Sequence, residues 1–321
     1  TPSATLAINE KSKKLLKEGK KIYNFGFGQS PFPIPEKIVE VLKENAHRKD
    51  YLPMQGLTEL REVISKYLSK KIGVNYTKEN IIITPGSKEA MLLMHVAFNG
   101  EIILPAPSWV SYEPQAQIAK NKVHWLQTSR DNHWFPTAKE LEKKIKSIGK
   151  KNIILILNSP NNPSGSVCSN LKEIAEIAKK YSINILSDEI YTDLTFENTY
   201  DSISKFYPER TFISSGLSKW CGAGGWRLGF FAAPNKSSDF LDALKTLASE
   251  SYSTVNSPVQ YAAVEAYKGD YDDYRSKTKN ILKFVGNYVY NNLKSNKILI
   301  SPPKGAFYLM PEFLNSKFKT S

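Results

Sequence analysis

The chain has 321 residues, 41% of them hydrophobic and 12% aromatic, enough to bury a large core or two, and no run approaches the roughly 20 apolar residues of a membrane helix. The formal net charge of +13 raises nucleic-acid binding, but the lysines are scattered along amphipathic stretches such as 139–151 and 172–180 and form no arginine patch, so a solvated basic surface that favours anionic ligands is expected, and no nucleic acid. Cys168 and Cys221 lack paired or CxxC spacing and the stretch 1–21 lacks a secretory signal, so neither a disulfide framework nor a zinc site is expected and the protein reads as cytoplasmic.

In chain order, a proline-rich passage at 31–35 comes first. From about residue 80 to 235, short β-branched runs alternate with helical stretches, the pattern of a mostly parallel sheet covered by helices on both faces. Strands are expected at 80–84, 101–104, 122–127, 152–157, 183–187, 210–214 and 228–233, and helices at 89–98, 111–119, 138–147 and 171–181. A long amphipathic helix is expected at 271–294. The division expected is a large domain over 36–270 and a smaller one built from both termini, 1–35 and 271–321; there is no internal repeat or low-complexity tract.

Ligands of such sheets collect beyond the carboxyl ends of the strands, and four clusters stand there. Thr84-Pro85-Gly86-Ser87-Lys88-Glu89 reads as strand, tight turn and helix start, where free N–H groups and the helix dipole can hold a phosphate, or as a plain helix capped near Ser87. Asn158 to Gly165, stiffened by Pro160 and Pro163, offers three asparagine amides to a ligand oxygen. Asp188, in Ser187-Asp188-Glu189-Ile190-Tyr191, either caps a helix or meets a positive partner, since a buried lone carboxylate is costly. Lys219 ends a hydroxyl- and glycine-rich loop from Ser214; beside a cationic group such a lysine can lose its proton and attack an aldehyde. Arg227, eight residues on, could grip a phosphate with its planar fork. Gly222, Gly224, Gly225 and Gly229 lack GxGxxG spacing and precede a strand, which excludes a dinucleotide fingerprint.

Three of these segments, Asn158 to Gly165, Ser187 to Tyr191, and Ser218-Lys219 with Gly225-Trp226-Arg227, occur in the order and spacing of the class I aminotransferases of pyridoxal-phosphate (PLP) fold type I. The chain resembles that family from Pro2-Ser3-Ala4-Thr5 to Lys304-Gly305-Ala306-Phe307-Tyr308, and looks closest to its aspartate aminotransferase branch. The resemblance implies an α/β fold: a three-layer αβα sandwich with a mostly parallel mixed sheet, plus a smaller α+β domain. It implies a transaminase that moves an amino group between an L-amino acid (aspartate, aromatic or similar) and a 2-oxo acid.

Carried over residue by residue, it implies that Lys219 holds the cofactor as a Schiff base and later shuttles the proton at the substrate Cα. Asp188 would pair with the pyridinium nitrogen, keeping the ring an electron sink. Tyr191 and Asn162 would hydrogen-bond the phenolic oxygen, and Arg227 with the turn of Gly86, Ser87 and Lys88 would hold the phosphate, assisted by Ser218. Trp109 would stack on the ring, and Gly28 would meet the substrate carboxylate through its backbone, with Trp109 and Asn162 also lining the substrate. Tyr51 would reach across a homodimer interface to the other subunit's phosphate.

Family chains continue past a strand at 305–308 into further small-domain elements, including an arginine for the substrate α-carboxylate. No arginine here matches it, so either the C-terminal part of the small domain is incomplete or the substrate is held some other way. Gln29-Ser30-Pro31 also departs from the commoner Glu-Pro-Asp wording. A carbon–sulfur β-lyase of the same fold type would share Lys219, Asp188 and Arg227. More remote is a PLP-binding regulator, which would carry a DNA-binding domain for which there is no room before Thr5.

Overall fold

The computed structural model describes residues 4–314 apart from Asn24, Phe27, Lys150, Asn198, Thr199 and Lys236. The outermost residues assigned to the smaller domain, 1–3 and 315–321, lie outside the described residues. Seven strands make the main sheet: β1 (Ile81–Thr84), β2 (Glu101–Ala106), β3 (Lys122–Gln127), β4 (Ile153–Asn158), β5 (Asn184–Asp188), β6 (Thr211–Gly216) and β7 (Gly229–Ala232). Their order is β1-β7-β6-β5-β4-β2-β3; β7 runs antiparallel to both neighbours and every other pairing is parallel.

Strands covered on both faces read as unbroken apolar runs, because each side chain, up or down, meets a helix. β4 is the clearest case, with all six residues buried. Ile154 and Ile156 face one layer with Ile82, Leu104, Leu186 and Phe231. That layer is built on α4 (Ser87–Ala97), α5 (Tyr112–Ile118) and α8 (Ser238–Ser251). Ile153, Leu155 and Leu157 face the other, against α6 (Ala138–Ile148) and α7 (Leu171–Lys180). On the same side Ile81, Ile83, Ile213 and Phe230 pack on α3 (Thr58–Ile72) and α9 (Ser257–Lys268). The result is the three-layer αβα sandwich, each fully buried isoleucine contributing roughly 1.5–3 kcal/mol relative to exposure.

Local signals set several boundaries. Helix α6 starts on a reciprocal box in which the Glu140 amide donates to Thr137 Oγ1 at 3.2 Å and the Thr137 amide to Glu140 Oε2 at 2.8 Å. Helix α3 ends at Gly73 in the left-handed region, φ 78°. Among the described residues three further α-helices complete the set: α1 (Ala4–Lys17), α2 (Glu36–Glu44), which packs on α9, and the long α10 (Asp272–Leu293). A separate two-stranded sheet pairs β8 (Ile298–Leu299) with β9 (Glu312–Phe313). Among the described residues no helix is long and apolar enough to cross a membrane.

One expected element is absent. Residues 305–308 form no strand: Gly305 makes a single bridge to Thr195 and the chain turns at Ala306, φ 58°. The N–H groups that a strand would spend on a neighbour go to loops at the sheet's end, Lys304 and Gly305 to the Gly165 carbonyl at 2.8 and 3.1 Å and Ala306 to Leu194 at 3.0 Å.

Candidate active site

Strand register decides where the site lies. Asn158 at the end of β4 is level with Asp188 at the end of β5, which is level with Ser214 in β6. At the other side of β6, Gly216 pairs with Gly229, which also pairs with Thr84 at the end of β1. Every loop singled out in the sequence therefore leaves the sheet at one edge. There a cavity of about 660 Å³ is lined by Gly28, Ser87, Lys88, Trp109, Asn162, Asp188, Tyr191, Ser218, Lys219 and Arg227.

Asp188 is 3% exposed. Tyr112 Oη donates to its Oδ2 at 2.7 Å, the Ile190 amide reaches its Oδ1 at 3.3 Å, and among the described residues it has no ion pair. Burial pushes its pKa up to about 6, opposed by the Tyr112 bond, the Ile190 amide and the charge of Lys219. The alternative of a helix cap is not what the chain forms, since only a single short turn, Thr192–Leu194, follows. Asp188 instead presents to the cavity an acid that forms no ion pair among the described residues, with the Lys219 charge near enough to act on it.

The asparagine loop spends most of its amides internally. Asn158 donates to the Asp188 carbonyl at 2.9 Å and accepts from the Asn162 amide at 2.8 Å. Asn161 Oδ1 accepts from the Ser164 amide and hydroxyl at 3.0 and 2.8 Å. This corrects the expectation that all three amides face a ligand: Asn162 faces the Tyr191 hydroxyl and the cavity, while the other two brace the loop. Tyr191 shares a 2.7 Å hydrogen bond with the Tyr308 hydroxyl, and burial raises its pKa well above the usual tyrosine value.

Lys219 Nζ donates to the Gly28 carbonyl at 2.7 Å and lies 5.4 Å from the Tyr191 ring centre. Burial lowers its pKa to about 8; Asp188 opposes the shift and Arg227 adds to it. About a tenth of such an amine is neutral near pH 7, against roughly a few ten-thousandths for an ordinary lysine. Gly28 itself admits no side chain, since a Cβ there would stand 2.1 Å from the Tyr308 hydroxyl oxygen. Its backbone is thus pressed against the site.

At the far end, Arg227 donates to the Gly224 carbonyl at 2.9 Å and the Pro85 carbonyl at 3.1 Å, next to the first turn of α4. That turn has no side-chain cap and begins at Gly86, φ 86°, so its N–H groups are available to an anion. A Cβ on Gly86 would fall 2.2 Å from Arg227 Nη2. The Lys88 amine sits 5.2 Å over the Trp109 ring, its pKa lowered by burial and by Arg227. Replacing Gly86 with alanine would strain both backbone and guanidinium, at about 1–3 kcal/mol. Thermal unfolding and a phosphate-ligand titration should show both a less stable protein and binding weaker by roughly tenfold. Unchanged affinity would separate the turn from anion binding.

Two predicted residues stand off the cavity wall: Gly86, packed against the Arg227 guanidinium, and Tyr51, 87% exposed. Two side chains that sequence reasoning passed over, Tyr112 and Tyr308, are part of the site, and Asn158 joins them on the cavity wall. Tyr112 lies three residues after Trp109 at a helix start and meets its ring edge-on, centroids 5.3 Å apart, a helical spacing that could have exposed it. Tyr308 has no such local signal. With Lys88, Lys219 and Arg227 against Asp188, the lining is net positive and suited to a phosphorylated ligand and a carboxylate.

A family model described as aminotransferase class I and II matches residues 20–319. The aspartate aminotransferase of Geobacillus stearothermophilus is 33% identical over 323 residues, 97% of this chain and 80% of that protein. Among solved structures, the aspartate aminotransferase from Thermus thermophilus with maleate superposes with a TM-score of 0.89 at 27% identity, covering 97% of this chain and 82% of that one. The alanine aminotransferase from Pyrococcus furiosus gives 0.91 at 30% identity, covering 99% and 83%.

Proposed function

The chain belongs to the class I and II aminotransferases and is a PLP-dependent transaminase, and from that footing we propose the roles of its residues. Lys219 supplies the amine that holds the cofactor, Asp188 faces the ring nitrogen, and Trp109 covers the ring. Arg227, the Gly86-Ser87-Lys88 turn and Ser218 take the phosphate, and Asn162 and Tyr191 point to the phenolic oxygen. The observation that carries this reading is the buried Asp188 carboxylate, which forms no ion pair among the described residues, on the same wall as a lysine whose pKa is lowered to about 8. Such an acid fits a cationic heterocycle, and such an amine fits an aldehyde.

Bound there, PLP supplies a conjugated cationic ring that accepts the electron pair released at the substrate Cα. The protein supplies the rest. Asp188 keeps a proton on the ring nitrogen by charge, and Tyr112 holds that carboxylate in place through its 2.7 Å bond. Lys219, partly neutral near pH 7, takes the proton at Cα and returns it, which is general acid–base catalysis worth typically 10²–10⁴-fold. The Gly28 backbone, with Trp109 and Asn162, positions the substrate carboxylate, and the positive lining favours aspartate or a similar L-amino acid and its 2-oxo acid partner.

Tyr51, exposed and off its own cavity, is proposed to complete the phosphate site of a second copy, making a homodimer the working unit. Residues 36–270 form the large domain and 1–35 with 271–321 the smaller one, in line with the separate β8–β9 sheet. Two free, buried thiols, Cys168 and Cys221, suit a reducing cytoplasm. The test is chemical. Amino transfer from aspartate should require a 2-oxo acid and outrun pyruvate and ammonia release from cystathionine. Faster elimination without any oxo acid would make the protein a β-lyase instead.

A further inference from the structure

The turn at residues 304–308 comes from the far end of the chain and is pinned to both site loops. Lys304 and Gly305 bond the Gly165 carbonyl of the asparagine loop, Ala306 bonds Leu194, and Phe196 bonds the Lys304 carbonyl at 2.9 Å. The pinning is close enough that a Cβ on Gly165 would stand 2.3 Å from the Tyr308 carbonyl oxygen. So held, Tyr308 turns its ring edge-on to Tyr191, centroids 5.5 Å apart, sets its hydroxyl 2.7 Å from the Tyr191 hydroxyl, and fills the space beside Gly28, the residue that holds the Lys219 amine. Nothing in the transaminase reading uses this contact.

A phenol has one proton to give. If Tyr191 spends it on the phenolic oxygen of the cofactor, its own oxygen must accept, and the Tyr308 hydroxyl stands within hydrogen-bond distance to donate. We propose that Tyr308 is a positioning residue: it donates to Tyr191, making a chain of two phenols in which Tyr191 becomes the stronger donor to the cofactor oxygen. The inference rests on the roles assigned above to Lys219 and Tyr191. Donors in series polarise one another. A better-stabilised oxygen lets the neighbouring Lys219 nitrogen release its proton at lower pH. The other charged or titratable groups around Tyr191 are Asp188 from the end of β5, Tyr112 from α5 and Lys219 from the loop after β6, with Arg227 beyond Lys219. Tyr112 and Asp188 also interact with Tyr308, so a Y191F background is needed to separate the path through Tyr191 from theirs.

The test follows the visible absorbance of the holoenzyme as pH is raised. Y308F removes one oxygen and should move the midpoint of the band upward by about half a unit to one unit. A fluorinated tyrosine at 308, a more acidic phenol that keeps the bond, should move it downward, an inversion that loss of packing cannot produce; it also serves if Y308F folds poorly. In a Y191F background neither change should shift the midpoint further. An unmoved midpoint, shifts of one sign for both variants, or shifts that persist without the Tyr191 hydroxyl would each overturn the role of Tyr308 alone. A parent protein with no titrating band would overturn the assignment of Lys219 and this inference with it.

Discussion

Lys219→Ala is expected to lower amino transfer by about 10³-fold or more, because one substitution removes both the amine that holds the cofactor and the base that moves the proton at Cα. The fold should not suffer. Among the described residues Nζ has one hydrogen bond, to the Gly28 carbonyl, and its ammonium form is disfavoured by burial, which lowers the pKa to about 8. For a lysine whose folded pKa lies below its unfolded one, the cost to stability is full below about pH 8 and fades above it. The variant should therefore be at least as stable as its parent at neutral pH, and its inactivity cannot be blamed on unfolding. Two measurements check the assignment: borohydride should fix cofactor to the parent and not to the variant, and a small primary amine added to the solution should restore part of the lost rate. Near-parent turnover in the variant would sink the assignment.

The parts of the molecule legible in its sequence are those whose cause is local. Parallel strands flanked by helices are apolar at every position, so Ile153 to Leu157 announces β4, and the first polar residue after it, Asn158, marks the edge where ligands gather. Asp188 stands out for the same reason, a carboxylate at the end of a buried run. What stayed hidden depends on contacts between distant segments. Asn158 and Asn161 look like ligand donors until their partners, the Asp188 carbonyl and Ser164, are in view. Residues 305–308 look like a strand, but their N–H groups belong to Gly165 and Leu194. Helix α9 hides for a subtler reason: it is apolar over much of its surface because it lies between α2, α3 and the sheet, which blurs the one-sided stripe by which helices are found.

Asp188→Asn separates what the acid costs the protein from what it contributes to the chemistry. The amide keeps the shape and can still accept from Tyr112, but cannot hold a proton on the ring nitrogen by charge. Transfer should fall by about 10²–10³-fold, with the cofactor still gripped by Arg227 and the α4 turn. Stability should move the other way in the cofactor-free protein. Burial raises the folded pKa of Asp188 to about 6, so its carboxylate costs nothing below the unfolded pKa, costs progressively more as pH rises toward 6, and costs fully above it, about 3 kcal/mol. Cofactor-free variant should thus resist denaturant better than parent at neutral pH, with the advantage shrinking in mild acid. Cofactor should stabilise the parent by more than the variant, since only the parent then gains a counter-charge for a carboxylate already desolvated. If the two proteins gained equally from cofactor, Asp188 would not face its ring nitrogen.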